Sequence, residues 1–201
     1  MKNIFESVNK CRICLSSNIV EVLNLGEQPP ANSLYKNGRK KPPYVPLRLM
    51  YCEECLTVQL GEDVDPQYLF GEYLWTTGTS ETAIKYSKEF SKKVLNHFQG
   101  YDKELFVVEV ASNDGTFLKQ FQKEGCRVLG VDPALNIAEI ANENGIPTIA
   151  EFFTNDLSRS LLERYSSADI IYARNVIPHV NEIHSVISGI ELLLSADGIG
   201  V

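Results

Sequence analysis

The chain has 201 residues, 44% of them hydrophobic, with a formal charge of −7 at pH 7. That acidic balance excludes a general nucleic-acid binder, which would carry a basic footprint, and no apolar run approaches membrane-spanning length. The opening MKNIFESVNK lacks the continuous apolar core of a secretory signal. The chain therefore reads as cytoplasmic, and its five cysteines point to metal or chemistry rather than disulfides.

Residues 1–70 hold four of the cysteines and most of the prolines, with little helical periodicity. The aromatic, hydroxyl-rich stretch GEYLWTTGTSET follows. Ser80 is an expected N-cap, after which Ala83, Ile84, Phe90, Val94, Leu95 and Phe98 recur at helical spacing. Then come LFVVEVA as strand, Thr116–Glu124 as helix, RVLGVDP as strand and Asn136–Asn144 as helix. PTIAEFF is an expected strand, Asp156–Tyr165 a helix, ADIIYAR a strand and Glu182–Leu194 a helix, and GIGV opens a fifth strand. Strands alternating with helices of this length predict an α/β fold, a parallel sheet with helices on both faces.

Cys11-x-x-Cys14 and Cys52-x-x-Cys55 form two knuckles, each able to aim two thiolates at one ion from a tight turn. Two knuckles complete a tetrahedral site, expected to hold zinc in a structural role because four thiolates leave no open position. Such an ion would hold together a region too small to build its own core. Cys126 has no partner pattern and is expected to fill the core.

VVEVASNDGTFL, residues 107–118, is a strand running into a short polar loop and a helix, the context of a nucleotide-type cofactor site. A dinucleotide needs G-x-G-x-x-G so that backbone can approach a pyrophosphate. Here Ala111, Asn113 and Thr116 replace the glycines, and Asp114 would face phosphate. At about 4 Å and an effective dielectric near 20 that repulsion is on the order of 4 kcal/mol per charge pair. S-adenosylmethionine carries no phosphate but has a sulfonium and an ammonium, and it suits a loop flanked by Glu109 and Asp114. Gly115 would allow close backbone approach, and Asp132, ending the strand of GVDP together with Pro133, would accept both ribose hydroxyls.

CRIC, LGEQPPANSLY, CEECLTVQL, YLWTTGTS, VEVASNDGTFL, GVDP, EFF and ARNVIPHV occur in that order. Together they resemble the sugar C-methyltransferases that act on nucleotide-linked deoxysugars. That family pairs an N-terminal zinc domain with a Rossmann-like class I methyltransferase domain and a C-terminal domain. The resemblance covers nearly the whole chain. It departs from the family at Ala111, where glycine is usual, and at Trp75, where tyrosine is common. It implies a zinc-binding domain over 1–70, a connector and helix over 71–100, and an S-adenosylmethionine-binding domain over 101–201, truncated at strand five. It places Asn175 and His179 over the cofactor's methyl group, with His179 able to move a proton near neutrality. It makes Phe152 or Phe153 a wall for the adenine; strand alternation would point the two rings to opposite faces. Tyr73, assigned a catalytic role, and Trp75 would cover the sugar, and Arg39–Pro43 could reach a pyrophosphate. His97 and His184 are expected at the surface.

The implied reaction is methyl transfer to a ring carbon next to the ketone of a nucleotide-linked sugar, with no membrane partner. The same scaffold would serve an O- or N-methyltransferase or a non-catalytic zinc-anchored binding module. Because the family supplies a Glu-His pair and a further domain after the fifth strand, the chain is expected to be part of a longer enzyme. It would then bind cofactor, turn over little, and expose a sheet edge prone to self-association.

Overall fold

The computed structural model describes residues 4–34 and 41–201, so Arg39 and Lys40 of the expected pyrophosphate-reaching run lie outside the described residues. The chain divides into two compact units: Met1–Gly71 with Asn181–His184, and Glu72–Val180 with Ser185–Val201.

The first unit is built from short antiparallel pairings. Strands β2 (Ile19–Gln28), β3 (Val45–Cys52) and β4 (Val58–Leu60) form a sheet in the order β2-β3-β4. Strands β1 (Phe5–Ser7) and β5 (Glu62–Val64) form a separate pair, and helix α1 (Pro66–Phe70) closes the unit with Asp65 capping its N-terminus. Among the described residues its buried hydrophobic set is small: Cys11, Val45, Met50 and Cys52. A metal staple is the physical answer to so thin a core.

The second unit begins with a turn, Thr77–Thr79, that feeds helix α2 (Glu81–Leu95). Ser80 caps α2 by accepting from the Ala83 amide at 3.2 Å. Alternating elements follow: β6 (Phe106–Val110), α3 (Leu118–Lys123), β7 (Arg127–Val131), α4 (Leu135–Glu143), β8 (Thr148–Ile149), α5 (Asn155–Tyr165), β9 (Ala168–Ala173), α6 (Ile183–Leu193) and β10 (Leu194–Gly200). All five strands run parallel, in the order β10-β9-β6-β7-β8. The fold class is thus α/β with a five-stranded parallel sheet.

Period-two alternation divides the strands between two cores. Val107, Val128, Ile170 and Tyr172 face Val94, Phe117, Leu118, Phe121 and Ala141 on α2 to α4. Phe106, Val108, Val110, Leu129 and Ile171 face Leu157 and Leu161 of α5 and Val186 and Leu193 of α6. Phe90 of α2 sits 5.2 Å from the Tyr172 ring and 5.7 Å from Phe117, so α2 is packed onto the sheet. Cys126 lies in the first of these cores, where burial pushes its thiol up to about 11.

Two expected extents are corrected. The strand read over PTIAEFF is only Thr148–Ile149, because the chain leaves the β7 ladder at Ala150 and bends at Glu151. Phe152 and Phe153 therefore lie outside any strand, and their contrast has a different origin: Phe153 packs in the α5–α6 core while Phe152 is half-buried. The fifth strand starts at Leu194 instead of Gly198 and pairs with β9 at Leu194 and at Ile199–Gly200, with an irregularity between. His97 and His184 are exposed. No helix among the described residues is long and apolar enough to cross a membrane.

Candidate functional site

The metal centre lies in the first unit. The sulfurs of Cys11, Cys14, Cys52 and Cys55 are all within 4.8 Å of one another, with Cys11 to Cys55 at 3.5 Å and Cys14 to Cys52 at 3.6 Å. A zinc ion with Zn–S bonds of about 2.3 Å in a tetrahedron sets sulfurs roughly 3.8 Å apart, so the donor set fits zinc and leaves no open position. The two knuckles are built alike. Leu15 donates to the Cys11 carbonyl at 3.0 Å and Leu56 to the Cys52 carbonyl at 2.9 Å. Cys11 donates to Ser16 and Cys52 to Thr57 in the same way. Leu15 and Leu56 each take a left-handed backbone, φ 63° and 64°. Gln59, buried on β4, accepts from the Arg12 amide and donates to the Lys10 carbonyl, tying the first knuckle to the sheet. Its part was not visible in the sequence, since a lone glutamine in CEECLTVQL carries no pattern.

The second site follows from sheet order. Strands β6 and β9 are neighbours, but the chain leaves them toward opposite sides, β6 to β7 and β9 to β10. That reversal opens a crevice beyond the carboxyl ends of the strands, where open α/β sheets bind ligands. Three loops meet there: 111–117 after β6, 132–134 after β7 and 174–179 after β9.

Glu109 lies on the α3 face of β6 and is fully buried. Tyr172 on β9 donates to its Oε2 at 3.0 Å, and Arg174 pairs with its Oε1 at 2.8 Å. The Arg174 guanidinium lies 3.1 Å above the centre of the Phe117 ring, and its buried Nε has no hydrogen-bond partner. Stacking on the aromatic face takes that partner's place. Burial pushes the Glu109 carboxyl up to about 7, against the pull of Arg174 and Tyr172. Both its oxygens are engaged by the protein, so its charge is compensated from within. Arg174 and Tyr172 were missed in the sequence because they stand more than sixty residues away.

Ala111 and Asn113 both adopt left-handed backbones, φ 53° and 51°, and Asn175 does so at 54°. Gly115, at φ 75°, is tight for a further reason: a Cβ there would sit 2.8 Å from the Ile146 side chain. The glycine therefore serves packing against Ile146 as well as the turn. Asp114 accepts from the Gly78 amide at 2.7 Å and from the Thr116 hydroxyl at 2.7 Å and amide at 3.2 Å. Asn113 accepts from the Thr77 amide at 2.7 Å and donates to the Trp75 carbonyl at 3.1 Å. Asn136 exchanges two bonds with the Tyr73 backbone, 2.8 and 3.1 Å. The stretch 73–78 is thus strapped to the loop and to α4, which the hydroxyl-rich sequence alone did not reveal.

Asp132 follows β7 and is buried. Its Oδ2 accepts from the Asn113 amide at 2.8 Å and its Oδ1 from the Ala134 amide at 3.0 Å. Burial raises its pKa, and those two amides oppose the rise. Pro133 is half-buried beside it. Gly130, two residues earlier, is required because a Cβ would meet the Ser112 and Thr148 hydroxyls at 2.4 and 2.6 Å. Asn175 and His179 are exposed on the loop after β9, His179 ending a single turn, Ile177–His179. Tyr73 is half-buried and Trp75 exposed.

A four-thiolate module joined to a parallel sheet with an acid-ended second strand and a crevice at its reversal point defines a zinc-anchored chain with a class I methyltransferase domain. The comparisons agree with that class. Residues 11–70 match the zinc binding domain family Methyltransf_13, and residues 108–201 match a methyltransferase domain family, Methyltransf_11. The chain is 30% identical over 201 residues to the C-methyltransferase NovU of Streptomyces niveus, covering 99% of this chain and 48% of that protein. The chain thus spans about half the length of this relative. Among solved structures, it is similar to the plantazolicin methyltransferase BpumL in complex with SAH, at 14% identity and TM-score 0.45, over 57% of this chain and 45% of that one. It is also similar to the magnesium protoporphyrin IX methyltransferase ChlM of Synechocystis PCC 6803 with bound SAM, at 13% identity and TM-score 0.43, over 64% of each. The chain thus combines a zinc binding domain with a methyltransferase domain, with zinc and S-adenosylmethionine as the cofactors of the two modules.

Proposed function

We propose that the protein transfers a methyl group from S-adenosylmethionine to a ring carbon of a nucleotide-linked keto-deoxysugar. The observation that carries this reading is the 30% identity to a C-methyltransferase sustained across both units. The motif order quoted from the sequence supports the sugar nucleotide as acceptor.

Within this reading Asp132 holds the ribose, since each carboxylate oxygen already bonded to an amide keeps a second lone pair. The backbone of the 111–115 loop and Pro133 approach the cofactor, and Phe152, the less buried of the two rings, walls the adenine. Glu109 and Asp114 act through the loop they hold in shape, since their oxygens are already taken up by the protein. Phe153 supports the wall from the core. Asn175 and His179 face the transferring group, and Tyr73 lies over the sugar. S-adenosylmethionine, when bound, supplies an electrophilic methyl on a sulfonium. A carbon beside a ketone is acidic, and removing its proton gives the nucleophile. His179 is the candidate base because it is an imidazole exposed on the loop after β9. Zinc takes no part in the chemistry.

Mass spectrometry of products from candidate keto-sugar nucleotides with labelled S-adenosylmethionine tests the reading. A carbon-bound label that appears only with ketone-bearing acceptors is the expected result. Label on oxygen or nitrogen, or transfer to an acceptor without a ketone, would replace it with an O- or N-methyltransferase. Cofactor binding without transfer to any acceptor, in a protein of the relative's full length, would favour a binding module.

A further inference from the structure

The segment 73–78 has no secondary structure before Thr77, yet its backbone makes five hydrogen bonds to side chains of the cofactor unit. Two of those side chains, Asn113 and Asp114, come from the loop read above as the cofactor loop. Asn113 makes both kinds of bond: its Oδ1 accepts from Thr77 and its Nδ2 donates to the Trp75 carbonyl. Its own amide donates to Asp132 Oδ2 at 2.8 Å. One residue therefore links the carboxylate at the end of β7 to the backbone that carries the chain's one tryptophan. Asn113 does so from a left-handed conformation, φ 51°, which costs an ordinary residue about 1–2 kcal/mol and persists only where surrounding bonds fix it. Gly78 confirms how close strap and loop lie: a Cβ there would be 2.8 Å from Asp114 Oδ2 and 3.0 Å from Thr116 Oγ1.

We propose that Asn113 is a positioning residue that couples the cofactor site to this aromatic strap, so that cofactor bound at Asp132 orders residues 73–78 and sets Tyr73 and Trp75 for the acceptor. The inference rests on the reading of Asp132 as the cofactor's ribose anchor. A ligand hydroxyl on Asp132 fixes the carboxylate that holds the Asn113 amide. The fixed amide holds the Asn113 side chain toward Trp75 and Thr77. These bonds hold the strap against the loop while Trp75 stays 51% exposed. Asn113 touches neither reacting group in this scheme, and its effect is carried through the strap.

Trp75 reports the coupling directly, as the sole tryptophan. Acrylamide quenching of its fluorescence is measured with and without saturating S-adenosylmethionine, alongside calorimetric cofactor binding by the same chain. In the wild type, quenching falls about twofold on cofactor binding, as a half-exposed ring is held against the loop. Asn113→Gly keeps the left-handed backbone without strain and removes the side chain. It binds cofactor no more than about tenfold more weakly, the equivalent of one net hydrogen bond, and its quenching is the same with and without cofactor. Asn113→Asp keeps the acceptor for Thr77 but loses the donor to Trp75, and it restores part of the effect. Gly78→Ala keeps Asn113 and every loop residue but sets a Cβ against Asp114 Oδ2 and Thr116 Oγ1, which forces strap and loop apart, and it reproduces the uncoupled result if Asn113→Gly does not fold. Cofactor binding with no change at Trp75 in the wild type, or a full response retained in Asn113→Gly or Gly78→Ala, overturns the coupling and leaves the cofactor reading intact. A wild-type chain that binds no cofactor at all overturns both.

Discussion

Arg174→Met removes one partner of a buried ion pair and should have a pH-dependent cost. At 2.8 Å and an effective dielectric near 20, the Arg174–Glu109 attraction is roughly 6 kcal/mol before desolvation is subtracted. Even with Arg174 present, burial wins: the Glu109 carboxyl stands at about 7 against an ordinary 4.5. A carboxyl whose folded pKa is raised contributes stability that is full below about 4.5 and lost as pH rises to about 7, after which the wild type levels off. Without Arg174 the folded pKa climbs further, so the variant keeps losing stability above pH 7 at about 1.4 kcal/mol per pH unit. The lost hydrogen bond and the packing on Phe117 add about 1–2 kcal/mol at any pH. The cost should therefore grow from about 1.5 kcal/mol at pH 6 to about 4 at pH 9, in line with the 3–5 kcal/mol expected when a buried pair is broken. Urea unfolding followed by Trp75 fluorescence reads this, because Trp75 belongs to the same unit as the pair. In the double variant Glu109→Gln with Arg174→Met, the extra loss above pH 7 should vanish. A single-variant cost that is constant from pH 6 to pH 9 would refute the reasoning.

Elemental analysis should find one zinc per chain, and Cys52→Ser should unfold the Met1–Gly71 unit, seen as lost β signal and protease sensitivity; full structure after chelation would contradict a structural metal. Asp132→Ala should weaken S-adenosylmethionine binding about 10- to 100-fold, from the loss of roughly 1.5–3 kcal/mol, with Asp132→Asn milder; calorimetry giving an unchanged Kd would remove Asp132 from the site. Because burial raises the Asp132 pKa, that affinity should decline as pH falls through the raised value, while the same shift makes Asp132 favour folding at low pH. Gly115→Ala should cost about 2 kcal/mol or more, combining a left-handed alanine with a Cβ 2.8 Å from Ile146, and a loss under about 0.5 kcal/mol by urea unfolding would show that the turn relaxes freely.

What could be read from the sequence had a period or a spacing behind it. The two C-x-x-C pairs give a donor count and a turn geometry without any knowledge of the sheet between them, and the structure brings all four sulfurs together. The alternation of strands with helices of similar length predicts a parallel sheet with helices on both faces, and two cores form on those faces. Strand length was read less well at PTIAEFF. Apolar content continues through Phe153, but no ladder partner extends past Ile149, and the run goes on to feed the α5–α6 core instead. Side chain to backbone bonds leave no period at all, which is why the strap held by Asn113, Asp114 and Asn136 had no signature beyond a concentration of hydroxyls and amides.

The carboxylates of the β6 loop show why motif chemistry and local electrostatics must be separated. From the sequence, Glu109 and Asp114 read as free charges awaiting a cationic ligand. In the fold, Glu109 is compensated by Arg174 and Tyr172, and Asp114 accepts two amides and a hydroxyl. The Asp114 charge still disfavours a pyrophosphate, because that carboxylate is held in place by neutral donors that leave it uncancelled. Preference for a phosphate-free cofactor therefore does not require either residue to touch it. It requires only that the loop keep its shape, and the shape depends on left-handed backbones at Ala111, Asn113 and Gly115 that only Gly115 adopts without cost. Side chains whose oxygens and nitrogens are committed to the strap and to β9 provide the bonds that hold the other two there. On this account the acidity of the loop serves first to build the site and only at longer range to select its ligand.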